Sequence, residues 1–363
     1  MKRILSFLLA AMLLASLPGC GKSEPEEPPV QPAASAAAPA PIPEPEPEPA
    51  GPEGTDPLTG LPMEPEYENL RPVAVMLNNL KAAQPQLGNS LADIIYEVPA
   101  EGGITRMLAL YQTLEGEQVG TLGSIRSSRP YYIELALGHD ALYVHAGGSP
   151  EAYQDLSAWG VDNMDGVNGG SDAKIFWRDK ERRKTMSYEH TLVTSGEKIL
   201  AYLAEGHFPT EHAGGYDYPQ RFAEDGTPTG GTAAEHVSVK FSQYKTGVFD
   251  YDAAEGAYLV SQYGKPYTDG NTGGQVRAVN LLTLETEISQ ISGDSYGRLR
   301  VRTTGEGRGQ YFCGGKTVPI LWSRKDRNSP FVYRTEDGAP LTLGQGNSYV
   351  CIYSPKTGSV TAS

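Results

Sequence analysis

The sequence has few cysteines, a shortage of positive charge and no long hydrophobic run. Its 363 residues include 3 cysteines and no Cys-x-x-Cys pair, which argues against a two-cysteine redox centre. The 30 Lys and Arg residues are outnumbered by 44 Asp and Glu residues, and the formal charge of −14 disfavours general binding of nucleic acid. The apolar run at residues 4–17 is shorter than the roughly 20 residues that a membrane-spanning helix needs.

The sequence also lacks the motifs of several common enzyme classes. It contains no Gly-x-Ser-x-Gly elbow, no His-Glu-x-x-His pair and no Gly-x-x-x-x-Gly-Lys-Ser/Thr loop. Two groups of histidines suggest metal ligands, namely His139 and His145 with Asp140, and His207 with His212, but neither has the compact spacing of a zinc site. We therefore predict no metal and no cofactor.

The N-terminus has the organisation of an export signal. Lys2 and Arg3 precede the apolar run, and Gly19-Cys20 follows it. This arrangement resembles the lipobox of bacterial lipoproteins, in which the cysteine receives a diacylglycerol and becomes the first residue. The alternative is a plain signal peptide with an incidental cysteine. We predict a signal peptide at residues 1–19 and a lipidated Cys20 that holds the chain on the outer face of the cell membrane.

Residues 20–56 form a predicted spacer rich in Pro, Glu and Ala, with repeated Pro-Glu pairs and no aromatic side chain. Such a composition buries too little apolar surface to offset the entropy cost of folding. The prolines fix φ and the glutamates repel one another, so we expect a semi-rigid tether that reaches about 100 Å when fully extended.

The remaining residues predict an α+β protein in two parts. At residues 57–229, apolar strand-like runs such as 71–77, 105–111 and 141–145 alternate with helix-like segments that follow Pro130, Pro150 and Ser195. At residues 230–363, short alternating strands are separated by Gly, Asp and Asn. We therefore expect a mixed α/β domain followed by a mostly β domain.

Several ordered motifs follow the spacer, namely DPLTG at residues 56–60, RPVAVMLNN at 71–79, EGGITR at 101–106, GSIRSSRPY at 123–131 and HAGGSP at 145–150, with GRGQYF at 307–312 in the β region. Together they resemble the motifs of the YerB-like lipoproteins of Gram-positive bacteria. The resemblance implies a lipid-anchored, two-part envelope protein and no particular activity.

Two glycine- and serine-rich junctions predict an anion pocket. Each precedes a helix-like segment, where backbone N–H groups and the helix dipole attract negative charge, and arginines lie beside them. The predicted ligand-binding residues are Arg106, Arg126, Ser127, Ser128, Arg129, Gly147, Gly148 and Ser149. The expected ligand is a phosphate, pyrophosphate or carboxylate of the envelope. The alternative is that these are ordinary helix caps, with the arginines paired to internal acids such as Asp93, Glu97, Glu101 or Asp140.

Two functional classes follow from these patterns. The favoured one is a non-catalytic binding or accessory lipoprotein whose partners are the membrane, an anionic envelope ligand and an envelope protein. The other is an envelope hydrolase or transferase that acts on a phosphorylated or carboxylated cell-wall precursor, with His145 or Glu101 as the base and with Glu101 and Asp93 as a candidate carboxylate pair. Cys313 and Cys351 lie in strand-like segments of an exported chain, so we expect either a disulfide between them or two separately buried thiols.

Overall fold

The central sheet begins, in chain order, with a buried run of apolar residues near position 75. The computed structural model describes residues 54–115 and 119–363. The predicted signal peptide, the lipidated Cys20 and nearly all of the predicted spacer lie outside these residues. Within the described residues, none of the helices is long and apolar enough to cross a membrane.

Five α-helices are described, and most begin with proline or a capping serine. Ser149 and Ser195 cap two of them through side-chain oxygens that accept backbone N–H groups of the first turn. The helices are α1 (Pro65–Glu68), α2 (Pro130–Leu137), α3 (Pro150–Ala158), α4 (Arg182–Thr185) and α5 (Gly196–Ala204), with short 3-10 turns at Lys81–Ala83, Asn89–Leu91, Glu101–Gly103, Asp172–Ile175 and Tyr188–His190.

The strands are more numerous than the helices and become dominant after residue 230. They are β1 (Gly54–Thr55), β2 (Pro62–Met63), β3 (Val73–Asn78), β4 (Ile94–Pro99), β5 (Thr105–Tyr111), β6 (Thr121–Gly123), β7 (Leu142–His145), β8 (Asn163–Asp165), β9 (Trp177–Arg178), β10 (Leu192–Ser195), β11 (Arg221–Ala223), β12 (Thr232–Ala233), β13 (His236–Lys240), β14 (Thr246–Asp252), β15 (Ala257–Gln262), β16 (Lys265–Pro266), β17 (Arg277–Ala278), β18 (Asn280–Glu285), β19 (Ile288–Gln290), β20 (Leu299–Val301), β21 (Gly305–Cys313), β22 (Lys316–Arg324), β23 (Val332–Thr335), β24 (Thr342–Gly344), β25 (Ser348–Tyr353) and β26 (Ser359–Ala362). This combination of helices and strands confirms the predicted α+β class.

One mixed sheet of eleven strands forms the centre of the fold. Its order is β12-β22-β21-β18-β25-β4-β5-β3-β7-β8, with β23 paired to β22. The strand β3 runs parallel to β7, and β7 runs parallel to β8, so these three strands end at the same edge. A second sheet of six strands, β16-β15-β14-β13-β26 with β17 beside β15, contains only strands from the β-rich part.

The large sheet is covered on both faces. In β3, Val73, Val75 and Leu77 contact the core that the six-stranded sheet and α5 complete, whereas Ala74 and Met76 contact the core that α2 and α3 complete. Burial on both faces explains why this strand is a continuous apolar run rather than an alternating one.

The large sheet continues across the predicted domain boundary at residue 230. Five of its strands precede that residue and six follow it. The junction is the parallel pair β4–β25, in which Ile94 lies opposite Ser348 and Glu97 opposite Cys351. Residues 57–229 and 230–363 therefore share a sheet, and the boundary between two domains remains a prediction.

Candidate functional site

The two predicted helix starts lie side by side. The Ser128 N–H donates to the Gly147 carbonyl at 2.8 Å, and the Ser149 N–H donates to the Ser128 carbonyl at 3.3 Å. These bonds belong to a short parallel bridge between Ser128 and Gly148. The starts of α2 and α3 are consequently held next to each other, so the positive ends of both helix dipoles point to one region.

The chain enters α2 from a loop and not directly from a strand of the large sheet. The strand before α2, β6, belongs to a three-stranded sheet with β9 and β10 rather than to the large sheet. After β6 the chain turns along the end of β3, where the Arg126 N–H donates to the Met76 carbonyl at 2.9 Å. The helix start therefore reaches the carboxyl edge of β3 and β7 through a loop.

Two of the predicted arginines share one carboxylate. Arg106, at the start of β5, and Arg129, the residue before α2, are both buried. Arg106 Nη2 lies 3.4 Å from Glu101 Oε2, and Arg129 Nε donates to Glu101 Oε1. One further nitrogen of each arginine donates to a backbone carbonyl, Arg106 Nη1 to Ser127 at 3.0 Å and Arg129 Nη1 to Ser128 at 2.6 Å. This buried cluster holds two positive charges and one negative charge.

The charges in this cluster alter its protonation equilibria. Burial alone would raise the pKa of Glu101, but the hydrogen bond from Arg129 and the charges of Arg106 and Arg129 lower it below its ordinary value. Burial and the neighbouring charge of Arg129 lower the pKa of Arg106. A carboxylate held ionised in this way is a poor general base at neutral pH.

The third arginine, Arg126, borders the cluster and is the most accessible of the three. Its side chain is 16 % exposed, and Nη2 lies 3.0 Å from Glu189 Oε2. Glu189 is itself 58 % exposed, so water screens this ion pair. Within the described part of the chain, the Nε atoms of Arg106 and Arg126 are buried without a hydrogen-bond partner. Buried donors without a partner are rare in folded proteins and destabilise them.

A sequence-predicted catalytic residue, His145, is fully buried at the end of β7. Its Nδ1 lies 2.9 Å from the Gly147 carbonyl, and its Nε2 lies 3.1 Å from Asn163 Oδ1. The Asn163 amide nitrogen donates to another carbonyl, so both imidazole nitrogens face acceptor oxygens. The ring has no free lone pair directed at a substrate, and its contacts fit a residue that positions the Gly147 turn.

The candidate carboxylate pair of Glu101 and Asp93 is not assembled. Asp93 precedes β4 and Glu101 follows it, so the six-residue strand separates them by about 20 Å. Asp93 instead accepts the Gln112 N–H at 2.6 Å, at the opposite edge of the sheet. The suggestion that these two carboxylates act together is therefore wrong.

Asp165, which sequence reasoning missed, supports the glycine turn from β8. Its Oδ1 accepts the N–H groups of Gly147 at 2.7 Å and Val167 at 2.9 Å, and its Oδ2 accepts the Tyr153 hydroxyl at 2.7 Å. Burial opposes ionisation, but nearby His145 and these donors lower the pKa of Asp165. Gly147 has φ of +74°, a left-handed conformation that favours glycine. No local pattern linked Asp165 to this turn, because β8 lies next to β7 only in the folded sheet.

A second buried charge cluster joins the two parts of the chain. Glu97 of β4 lies 3.2 Å from the Nζ of Lys245, and both side chains are essentially inaccessible to solvent. Burial lowers the pKa of Lys245, whereas the charge of Glu97 acts in the opposite direction. The other polar neighbours of Glu97 are Asn79, Thr105, Gln262 and Tyr349. This cluster has equal positive and negative charge.

The two C-terminal cysteines are both buried and free. Cys313 lies on β21 and Cys351 on β25, and β18 separates these strands. Cys351 contacts the core on one face of the sheet and Cys313 the core on the other. A disulfide needs α-carbons within about 7 Å, which two strands on either side of a third do not provide. The structure therefore contradicts the suggested bridge and agrees with two separate thiols.

The histidine groups suggested as metal ligands are dispersed. His139 contacts the Tyr96 hydroxyl at 2.8 Å, whereas Asp140 contacts His212 at 2.9 Å. Burial lowers the pKa of His139 to about 3. Among residues 54–115 and 119–363, no group of three or more His, Cys, Asp or Glu side chains is arranged to hold a metal ion.

Comparison with known proteins assigns the chain to a family. Residues 58–209 match the family described as "Protein of unknown function (DUF3048) N-terminal domain", and residues 237–350 match the corresponding C-terminal domain. The chain belongs to the DUF3048 family.

Relatives from one organism agree with this assignment. "Putative lipoprotein YerB" of Bacillus subtilis (strain 168) is 31 % identical over 302 residues, which cover 82 % of this chain and 85 % of the relative. A crystal structure of the YerB protein from Bacillus subtilis matches with a TM-score of 0.72 at 29 % identity, covering 85 % of this chain and 99 % of the other. The resemblance to YerB-like proteins is therefore confirmed.

Proposed function

We propose that this protein is a lipoprotein, anchored on the outer face of the cell membrane, that acts as a binding or accessory factor in the cell envelope. Two observations support the proposal: Cys20 follows an export signal of lipobox form, and the relative from Bacillus subtilis carries the name "Putative lipoprotein YerB". In this proposal the acylated Cys20 is the membrane anchor.

The proposed ligand is an anion bound where α2 and α3 begin. The observation that carries this proposal is the charge imbalance of Arg106 and Arg129, which share the single carboxylate of Glu101. Uncompensated charge in a buried place is costly, so a bound anion stabilises the folded state. Arg126, the most accessible of the arginines, is the proposed direct contact.

The chemistry of the site favours phosphate or carboxylate over a neutral ligand. Guanidinium groups form paired, charge-assisted hydrogen bonds to such oxyanions. The adjacent starts of α2 and α3 add partial positive charge without any further side chain. Phosphorylated or carboxylated envelope molecules, such as wall polymers and lipid-linked phosphates, present these groups at the distance that the predicted spacer allows.

Thermal unfolding of the full chain in detergent tests the proposal. Phosphate, pyrophosphate and acetate are added separately at equal ionic strength, with chloride as the reference. We expect phosphate or pyrophosphate to raise the wild-type Tm and Arg126→Gln to abolish most of that increase. The matched control is Arg308→Gln, because Arg308 is 74 % exposed and also pairs with one glutamate, Glu336 at 3.4 Å. A wild-type Tm that responds equally to all four anions would refute the pocket.

A further inference from the structure

A short segment beside the anion site carries an unusual concentration of positive charge. Residues 174–184, with the sequence KIFWRDKERRK, contain six of the 30 Lys and Arg residues of the chain and only two acids. Six minus two gives a formal charge of +4, in a chain whose overall charge is −14. Since like charges repel, so dense a basic segment needs an explanation beyond solubility.

Most of these cations point to solvent. The exceptions are Arg178, which is partly buried, and Arg182, which is buried and donates to backbone carbonyls, including that of Ala83 at 2.7 Å. Lys174, Lys180, Arg183 and Lys184 are exposed. Lys184 pairs with Glu181 at 2.6 Å, but Lys174, Lys180 and Arg183 form no ion pair with any described residue.

Aromatic and apolar side chains lie among these cations. The Tyr188 side chain is 61 % exposed, and the guanidinium of Arg178 lies 3.9 Å from its ring centre. Trp177 is half-buried beneath Lys198, whose Nζ lies 5.7 Å from the ring. Val167, 56 % exposed, borders the Gly147 turn. Cations interspersed with Tyr and Trp are typical of surfaces that contact membrane headgroups.

We propose that this basic surface, residues 174–184 with Tyr188, docks onto anionic lipid headgroups of the membrane that holds Cys20. The inference rests on the proposed lipid anchor but not on the anion pocket. Charge complementarity favours a negatively charged partner. The anchor and a spacer of fewer than forty residues keep the membrane surface permanently nearby, which raises its effective concentration above that of a free polymer.

The experiment uses the full lipidated chain reconstituted in vesicles. One set of vesicles is phosphatidylcholine alone, and the other contains about one-third phosphatidylglycerol. Flotation reports whether the anchor holds, and quenching of tryptophan fluorescence by brominated lipids reports docking. The chain has 3 tryptophans, so Trp177→Phe identifies the signal from the basic surface.

The matched pair of variants removes three positive charges from different places. The docking variant is Lys174→Gln with Lys180→Gln and Arg183→Gln. The control is Lys316→Gln with Lys325→Gln and Lys356→Gln, which are exposed residues of the β-rich part. We expect Trp177 quenching only with phosphatidylglycerol, weakened at about 0.5 M salt. Only the docking variant should lower the docked-to-undocked ratio, by roughly 100-fold.

The possible failures are distinguishable. Chains that do not float refute the proposed anchor, and with it the docking. Chains that float with equal quenching on both vesicle types, or equal behaviour of the two triple variants, overturn the docking alone. If polyphosphate binds the basic surface while anionic vesicles give no quenching, the partner is a polymer and the membrane proposal is wrong.

Discussion

Two buried charge clusters, one around Glu97 of β4 and one around Glu101 in the turn that follows β4, differ in their balance of charge. In the Glu97 cluster, one carboxylate meets one ammonium group and several neutral donors. In the Glu101 cluster, one carboxylate meets two guanidinium groups, and a third arginine lies at the border. The first cluster has balanced charge, whereas the second has an excess of positive charge.

This difference distinguishes basic residues that stabilise the fold from basic residues that are available to a ligand. Lys245 contacts only internal groups and joins the β-rich part to β4, so its role is explained by the fold alone. Arg126 contacts an exposed glutamate and keeps a buried Nε without a partner among the described residues. The balanced cluster should therefore control stability, and the unbalanced one should control the response to anions.

The largest expected effect comes from breaking the balanced cluster. Glu97→Gln leaves the ammonium group of Lys245 buried without a countercharge. We expect the free energy of unfolding to fall by about 3–5 kcal/mol, as measured by denaturant unfolding.

A double variant provides the control for this prediction. Glu97→Gln with Lys245→Met removes both charges and should recover much of the lost stability, because no uncompensated charge remains. Anion-dependent stabilisation should persist in both variants if they fold. A loss of less than about 1 kcal/mol in Glu97→Gln would show that Lys245 finds another partner or water.

An intermediate effect is expected from the shared carboxylate of the second cluster. Glu101→Gln leaves Arg106 and Arg129 without their countercharge, so we expect a loss of about 2–3 kcal/mol in chloride buffer. Phosphate should then restore more stability to this variant than to the wild type, because the anion replaces the missing carboxylate. If phosphate raises the Tm of the wild type and of Glu101→Gln by the same amount, the proposal that an anion binds beside Arg106 and Arg129 is contradicted.

The same variant gives a pH signature. The pKa of Glu101 is lowered in the folded state from its ordinary 4.5. Its ion pairs therefore add stability that is present above about pH 4.5 and lost as the pH falls through the lowered folded-state pKa. The stability difference between wild type and Glu101→Gln should be constant from about pH 6 to 8 and shrink below about pH 4. A difference that stays constant down to pH 3 would count against an ionised Glu101.

The smallest effect on folding is expected at the border of the cluster. Arg126→Gln removes a screened ion pair, so the free energy of unfolding should change by less than about 1 kcal/mol. Arg308→Gln should change the free energy of unfolding by a similarly small amount. The two variants should differ in phosphate response, and a large folding defect in Arg126→Gln would instead identify Arg126 as a structural residue.

Local sequence patterns predicted those helices and strands whose signals come from neighbouring residues. The strand expected at 105–111 is Thr105–Tyr111, and the helix expected from the Ser195 cap is Gly196–Ala204. Proline and serine at helix starts act through neighbouring backbone groups, and apolar runs report burial directly. Both kinds of signal require no knowledge of distant residues.

The partners in the buried ion pairs could be identified only from the folded sheet. Glu101 was foreseen as a partner of arginines, but Lys245 meets Glu97 across 148 positions of sequence, because the six-stranded sheet packs on the large one. The same limit applies to Asp165 and to the two cysteines, whose separation depends on β18 lying between their strands. Such pairings depend on strand order, which periodicity and composition do not specify.

Crystallography with selenate, an anomalous scatterer that mimics a doubly charged oxyanion, shows directly whether the arginine cluster binds an external anion. We predict a selenium peak beside the starts of α2 and α3, with selenate oxygens about 3 Å from a guanidinium nitrogen of Arg126. The peak should be absent from crystals of Arg126→Gln. Selenate bound only at other surfaces, or bound here equally in both proteins, would contradict anion binding through Arg126.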